Sequence, residues 1–140
     1  MITAVIAAAW LGAMTVFAST VSPTVFQTLE MPDASRFLRA YFPKLFRLEI
    51  GVGVAITVAG FAAQNTLFGA IGMAMAVLAA SNLWILTDRI NQIADRLQAD
   101  PDNRQLKRQF GLSHGASAAL FGLGGLGCLW IVGQTLWEIL

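Results

Sequence analysis

IGVGVAITVAGFAAQNTLFGAIGMAMAVLAASNLWILT, running from Ile50 to Thr87, contains no Asp, Glu, Lys or Arg. A helix crosses about 30 Å of hydrocarbon with roughly 20 apolar residues, so this stretch is too long for one span and fits two. Ala63-Gln64-Asn65-Thr66 divides it, because amide and hydroxyl side chains there can satisfy backbone groups at a turn. Two more stretches are free of those charges, Met1 to Leu29 and Gln109 to Trp137, and each fits one span. The expected architecture is an all-α integral membrane four-helix bundle in a single domain, residues 1–140, with spans near 3–29, 43–63, 67–87 and 110–136.

Composition agrees. Of 140 residues, 56% are hydrophobic and 12% charged, and the mean hydropathy is +0.65, whereas soluble domains carry about 25% charged residues. Met1 to Ser22 has no Lys or Arg ahead of its apolar run, which a secretory signal normally has, so it reads as a retained first helix. The lone Cys128 excludes an internal disulfide or a thiolate cluster.

All nine basic residues fall in two places. Arg36, Arg39, Lys44 and Arg47 lie between the first and second spans; Arg89, Arg96, Arg104, Lys107 and Arg108 lie between the third and fourth. Short loops rich in Lys and Arg stay on the cytoplasmic side, which predicts cytoplasmic charged segments, with both termini and the Gln64 turn outside. These segments are expected to be helical. Phe37, Leu38, Tyr41 and Phe42 recur at helical spacing after Pro32-Asp33, a stripe able to lie along the inner membrane surface. Ile90, Ile93, Ala94 and Leu97 continue the third helix until Asp100-Pro101 breaks it. Asp95, Asp100 and Asp102 stand among the second basic group, so no nucleic-acid surface is expected.

Membrane helices associate through close approach of small residues and through interhelical hydrogen bonds. Gly111, Gly115, Ala118, Gly122 and Gly125 form one such stripe on the fourth helix, Ala4, Ala8 and Gly12 another on the first, and Gly72, Ala76 and Ala79 a third. The stripes are expected to pack inside one bundle, with a homodimer seam as the alternative.

Polar residues gather near the predicted cytoplasmic ends: Ser22, Gln27, Glu49, Ser81, Asn82, His114 and Ser117. Phe110, His114 and Ser117 stand at i, i+4 and i+7, so one face presents a ring, an imidazole and a hydroxyl. Intramembrane ionisable groups are costly and mark functional sites, and here Glu49 and His114 would serve a proton relay or a small-ligand pocket. The other reading is a network that fixes helix register, with Glu49 paired to Arg47 or Lys44 and His114 bonded to Asn82 or Ser117. One His and one Cys cannot build a metal site within the chain, and only His114 and the methionines offer a haem ligand. No nucleotide loop, Ser-His-Asp order or catalytic carboxylate pair is visible, so neither a cofactor nor a reaction is expected.

The sequence resembles the family of unknown function typified by the eukaryotic transmembrane protein 205, with many small bacterial members. Trp10-Leu11-Gly12 followed by Pro23-x-Val25-Phe26 is similar to its first helix, Phe42-Pro43-x-x-Phe46 to the entry of its second, Asn82 to the polar residue of its third, and Phe110-x-x-x-His114-Gly115-x-Ser117 to the start of its fourth. The resemblance implies a four-helix protein, most naturally of a bacterial inner membrane, and supplies no activity. Three functions remain open. The protein handles a small solute, proton or lipid through the inner polar layer; or it is a non-catalytic subunit or assembly factor, with the bilayer and a homo-oligomer or larger membrane complex as partners; or, less favoured, it is a haem-pathway membrane oxidase, although it lacks a His in the first helix.

Overall fold

The computed structural model describes residues 1–140. Four long helices account for nearly all of it: α1, Ile2–Thr28; α2, Met31–Ala62; α3, Thr66–Ala99; and α4, Arg104–Trp137. There are no strands, and each helix is long and apolar enough to cross a membrane. The chain is a multi-pass membrane protein.

The turns follow from local chemistry. Between α2 and α3, Gln64 adopts a left-handed backbone with φ 56°, and the Asn65 side chain caps α3 by accepting from the Phe68 N–H at 3.0 Å. Asn103 caps α4 by accepting from Gln105 N and Leu106 N, both at 3.1 Å. Such caps satisfy donors that the first helical turn leaves unpaired. Glu30 is extended ahead of α2, whose first turn contains Pro32, where the missing N–H costs nothing.

One difference from the sequence expectation concerns the first charged segment. The Phe37, Leu38, Tyr41 and Phe42 stripe forms no separate surface helix; it is the first part of α2, which runs through Pro43 without a break. With 32 residues, α2 is about 48 Å long at 1.5 Å per residue, well beyond the hydrocarbon thickness. Part of the apolar stripe packs inward instead: Tyr41 and Phe42 lie against Phe17 of α1, with ring centroids 5.1 and 5.6 Å away, while Phe37 stays exposed.

A second correction concerns the small residues. The closest helix pair is α2 and α3, and glycines set their separation. A Cβ at Gly53 would stand 2.7 Å from Ala76 N and 2.8 Å from Gly72 O, and one at Gly60 would fall on the Gly69 backbone. Gly72 and Ala79 are buried. The glycines Gly111, Gly115 and Gly122 of the α4 stripe, by contrast, are uncovered: a Cβ at any of them meets nothing within 4 Å, and the same is true of Gly12 on α1. Only Gly125 of that stripe is covered, by Met14. The inward line of α4 is instead Ser113, Ser117, Gly124, Cys128, Ile131 and Thr135.

Candidate functional site

At the end of the bundle that carries the basic residues, the helices part. α1 packs along α4 through its first half, Ile2–Val16, and not through its second. At the boundary α1 widens into a π-type turn over Phe17–Val21. Pro23 supplies a cause, because it has no N–H to give to the Ser19 carbonyl four residues back and its ring crowds that oxygen. α3 widens likewise over Asn82–Leu86, where the Thr87 hydroxyl donates to the Asn82 carbonyl at 2.8 Å. Such turns recur at functional sites.

Between the parted helices lies a cavity of about 570 Å³ lined by residues of all four, within the range of roughly 300–1,000 Å³ usual for small-molecule sites. Its walls are mainly hydrophobic and rich in phenylalanine: Phe17 and Phe26 of α1, Phe42 and Phe46 of α2, and Phe110 and Phe121 of α4. Ser22, Arg39, Thr87, Asn91, His114 and Ser117 add polar groups. Ala18, Phe26, His114 and Ala118 are lining residues that also face the outside of the chain, so the cavity opens sideways between the second half of α1 and the first turns of α4.

The polar residues singled out from the sequence separate into two places. Ser22, His114 and Ser117 are on the cavity wall. His114 is exposed, and its ring lies parallel to that of Phe110 with centroids 5.9 Å apart. Glu49 and Asn82 are instead fully buried, at 1% and 0% exposure. Asn82 Nδ2 donates to the Ser117 backbone carbonyl at 3.1 Å, while its Oδ1 has no partner. Glu49 Oε1 occupies the space where a side chain at Gly124 would begin, 2.6 Å from that Cβ position, and Oε2 is unpartnered. Gln27 is exposed and joins neither group, and Ser81 bonds back to the Val77 carbonyl. Of the family-like positions, Phe26, Phe42 and Phe110 line the cavity, whereas Gly115 is uncovered.

Two expected pairings are therefore corrected. Glu49 pairs with neither Lys44 nor Arg47, both of which are exposed, because it points toward the bundle axis and they do not. The partner of Asn82 is a backbone carbonyl and not His114. His114→Leu is therefore expected to leave thermal stability in detergent within about 0.5 kcal/mol of the parent, as for other exposed positions. A large loss of melting temperature would show that the imidazole holds a structural partner.

Arg39 enters the sequence argument only as one of the nine basic residues that set the orientation, and the structure gives it a place in the site. Its Nη1 donates to Asp95 Oδ1 at 2.6 Å, tying α2 to α3, while Nη2 is buried without a partner. The signal was its spacing: Arg39 stands three residues before Phe42 and seven before Phe46, on the face that lines the cavity. No group of three or more His, Cys, Asp or Glu side chains converges to hold a metal.

Fold and cavity together define a small polytopic membrane protein with a phenylalanine-rich recess open at one end of its bundle. The chain belongs to the family described as domain of unknown function DUF4149, which matches residues 5–99. That match takes in α1, α2 and α3 with Arg39, Glu49, Asn82 and Asp95; His114 and the rest of α4 lie beyond it. No curated protein and no solved structure matches the chain.

Proposed function

We propose that this protein binds a small amphipathic molecule drawn from the bilayer into the cavity between α1 and α4, and that it performs no chemistry on it. The observation that carries this reading is the cavity itself, about 570 Å³ with phenylalanine-rich walls and a sideways opening. Ligand sites are concave and mostly apolar, with a few placed polar groups. We place the cavity in the cytoplasmic half of a bacterial inner membrane, since all the basic residues lie at that end. A kinship with the family typified by transmembrane protein 205 is part of the proposal and adds no activity to it.

The test is to fill the opening. Ala118 lines the cavity and is exposed, so Ala118→Trp is expected to leave the fold intact and to weaken uptake of a neutral fluorescent apolar probe about tenfold, on the scale of one or two kcal/mol for a blocked apolar contact. Unchanged uptake by the filled variant would sink the reading. The orientation has its own check: Asn65→Cys is expected to react with an impermeant thiol reagent on intact cells and Asn103→Cys only after permeabilisation, native Cys128 being buried. Reversed labelling would invert the proposal.

A second reading, a subunit of a larger assembly, draws on the open face of Gly111, Gly115 and Gly122, since small residues let another helix approach closely. Gly115→Leu would then separate the assembly while leaving the isolated bundle unchanged.

A further inference from the structure

We infer that the cavity selects a single-chain amphiphile with an oxyanion headgroup, a carboxylate or a phosphate monoester, held by Arg39. The inference rests on the cavity reading above and adds the headgroup chemistry. Beside the apolar cavity lies a second recess of about 240 Å³, lined by Pro32 and by the polar residues Ser35, Arg36, Arg39 and Gln98. Ser35 and Arg39 line both spaces. A phenylalanine-rich chamber thus adjoins one lined chiefly by polar side chains, and Arg39 borders both.

That guanidinium is only partly used. Nη1 is spent on Asp95, and Nη2 is buried with no acceptor. A buried donor without a partner is costly, and a planar guanidinium takes carboxylate or phosphate oxygens through two parallel bonds. Arg39 lies four residues before Pro43 on α2, about 6 Å along the helix, which puts it at headgroup depth if the span begins there. A ligand oxyanion in the recess would reach the guanidinium once it turns from Asp95 and exposes Nη2, while the chain of the ligand occupies the apolar cavity. It would do so in competition with the Asp95 carboxylate, which already holds the same side chain.

This competition gives a signature that a purely structural ion pair lacks. Protein purified in neutral detergent is offered dodecanoate, dodecyl phosphate and neutral dodecanol, and bound ligand is read by native mass spectrometry. The parent is expected to bind the two anions about tenfold more tightly than the alcohol, the scale of a hydrogen bond to a charged group. The stronger of the two anions identifies the headgroup. Arg39→Gln is expected to abolish the preference while keeping dodecanol binding. Asp95→Asn breaks the same ion pair yet is expected to tighten anion binding, because the internal competitor has lost its charge. A shared folding defect would instead weaken both variants together and would overturn the inference. Equal binding of anion and alcohol by the parent would also overturn it while leaving the cavity reading in place, and failure of all three to bind would remove both.

Discussion

Gly60→Leu is expected to prevent the bundle from assembling. Gly60 of α2 faces Gly69 of α3, and a Cβ there would fall on the Gly69 backbone. One turn pair further along the same seam, Gly53 faces Ala76 and Gly72 with 2.7 and 2.8 Å to their backbone atoms. A flexible side chain could swing aside; a helix backbone cannot. Inserting a side chain therefore pushes the two helices apart along their whole contact. Overpacking usually costs about 1–3 kcal/mol, and here the loss should exceed that because the van der Waals seam between α2 and α3 is what holds the pair in lipid. Gly115→Leu is the comparison, since nothing lies within 4 Å of its Cβ position. Size-exclusion profiles after heating should show Gly60→Leu lost as aggregate and Gly115→Leu like the parent. Matching profiles would mean that the glycine seam is not the contact that sets the bundle.

The contrast between those two glycines also shows what the sequence could and could not disclose. Charge-free runs of the right length reveal spans because unpaired charge is excluded from hydrocarbon whatever the helix packs against. The break at Ala63 to Thr66 was legible for a similar reason: amide side chains at an apolar boundary have a use as caps, and Asn65 has that use. Which face of a helix turns inward is harder, because lipid and protein interior are equally apolar. On α4 the regular stripe through Gly111, Gly115 and Gly122 looked like a packing surface and is open, while Ser113, Ser117, Cys128 and Thr135 face inward. Their small polar groups were the better guide, since such groups avoid lipid. Arg39 is a similar case. A basic residue just outside a span reports orientation whichever way it points, and only the fold shows that it turns toward Asp95 and the cavity.

Glu49→Leu is expected to raise stability. The Glu49 side chain is buried at 1% exposure, Oε2 has no partner, and no cation approaches either oxygen. An unsatisfied buried polar group costs about 1–3 kcal/mol, more if it is charged, and apolar residues of similar volume replace buried ionic groups at no loss or with a gain. If the carboxyl only occupies space, Leu should recover roughly 1–3 kcal/mol in a detergent denaturation series. The neighbouring glycine supplies an independent check. A Cβ on Gly124 would meet Glu49 Oε1 at 2.6 Å, with Glu49 Cδ at 3.7 Å and Met75 Cγ at 3.4 Å; the carboxyl would have to move, and at 1% exposure it is enclosed on all sides, so Gly124→Ala should cost stability in the parent. Without the carboxylate oxygen the nearest obstacle is gone, and Gly124→Ala should cost little in the Glu49→Leu background. The two changes should thus be strongly non-additive, as substitutions in direct contact are. A loss of stability in Glu49→Leu would instead mean that the carboxyl is held by a water or an ion inside the bundle, and would make Glu49 part of a working site rather than a burden on the fold.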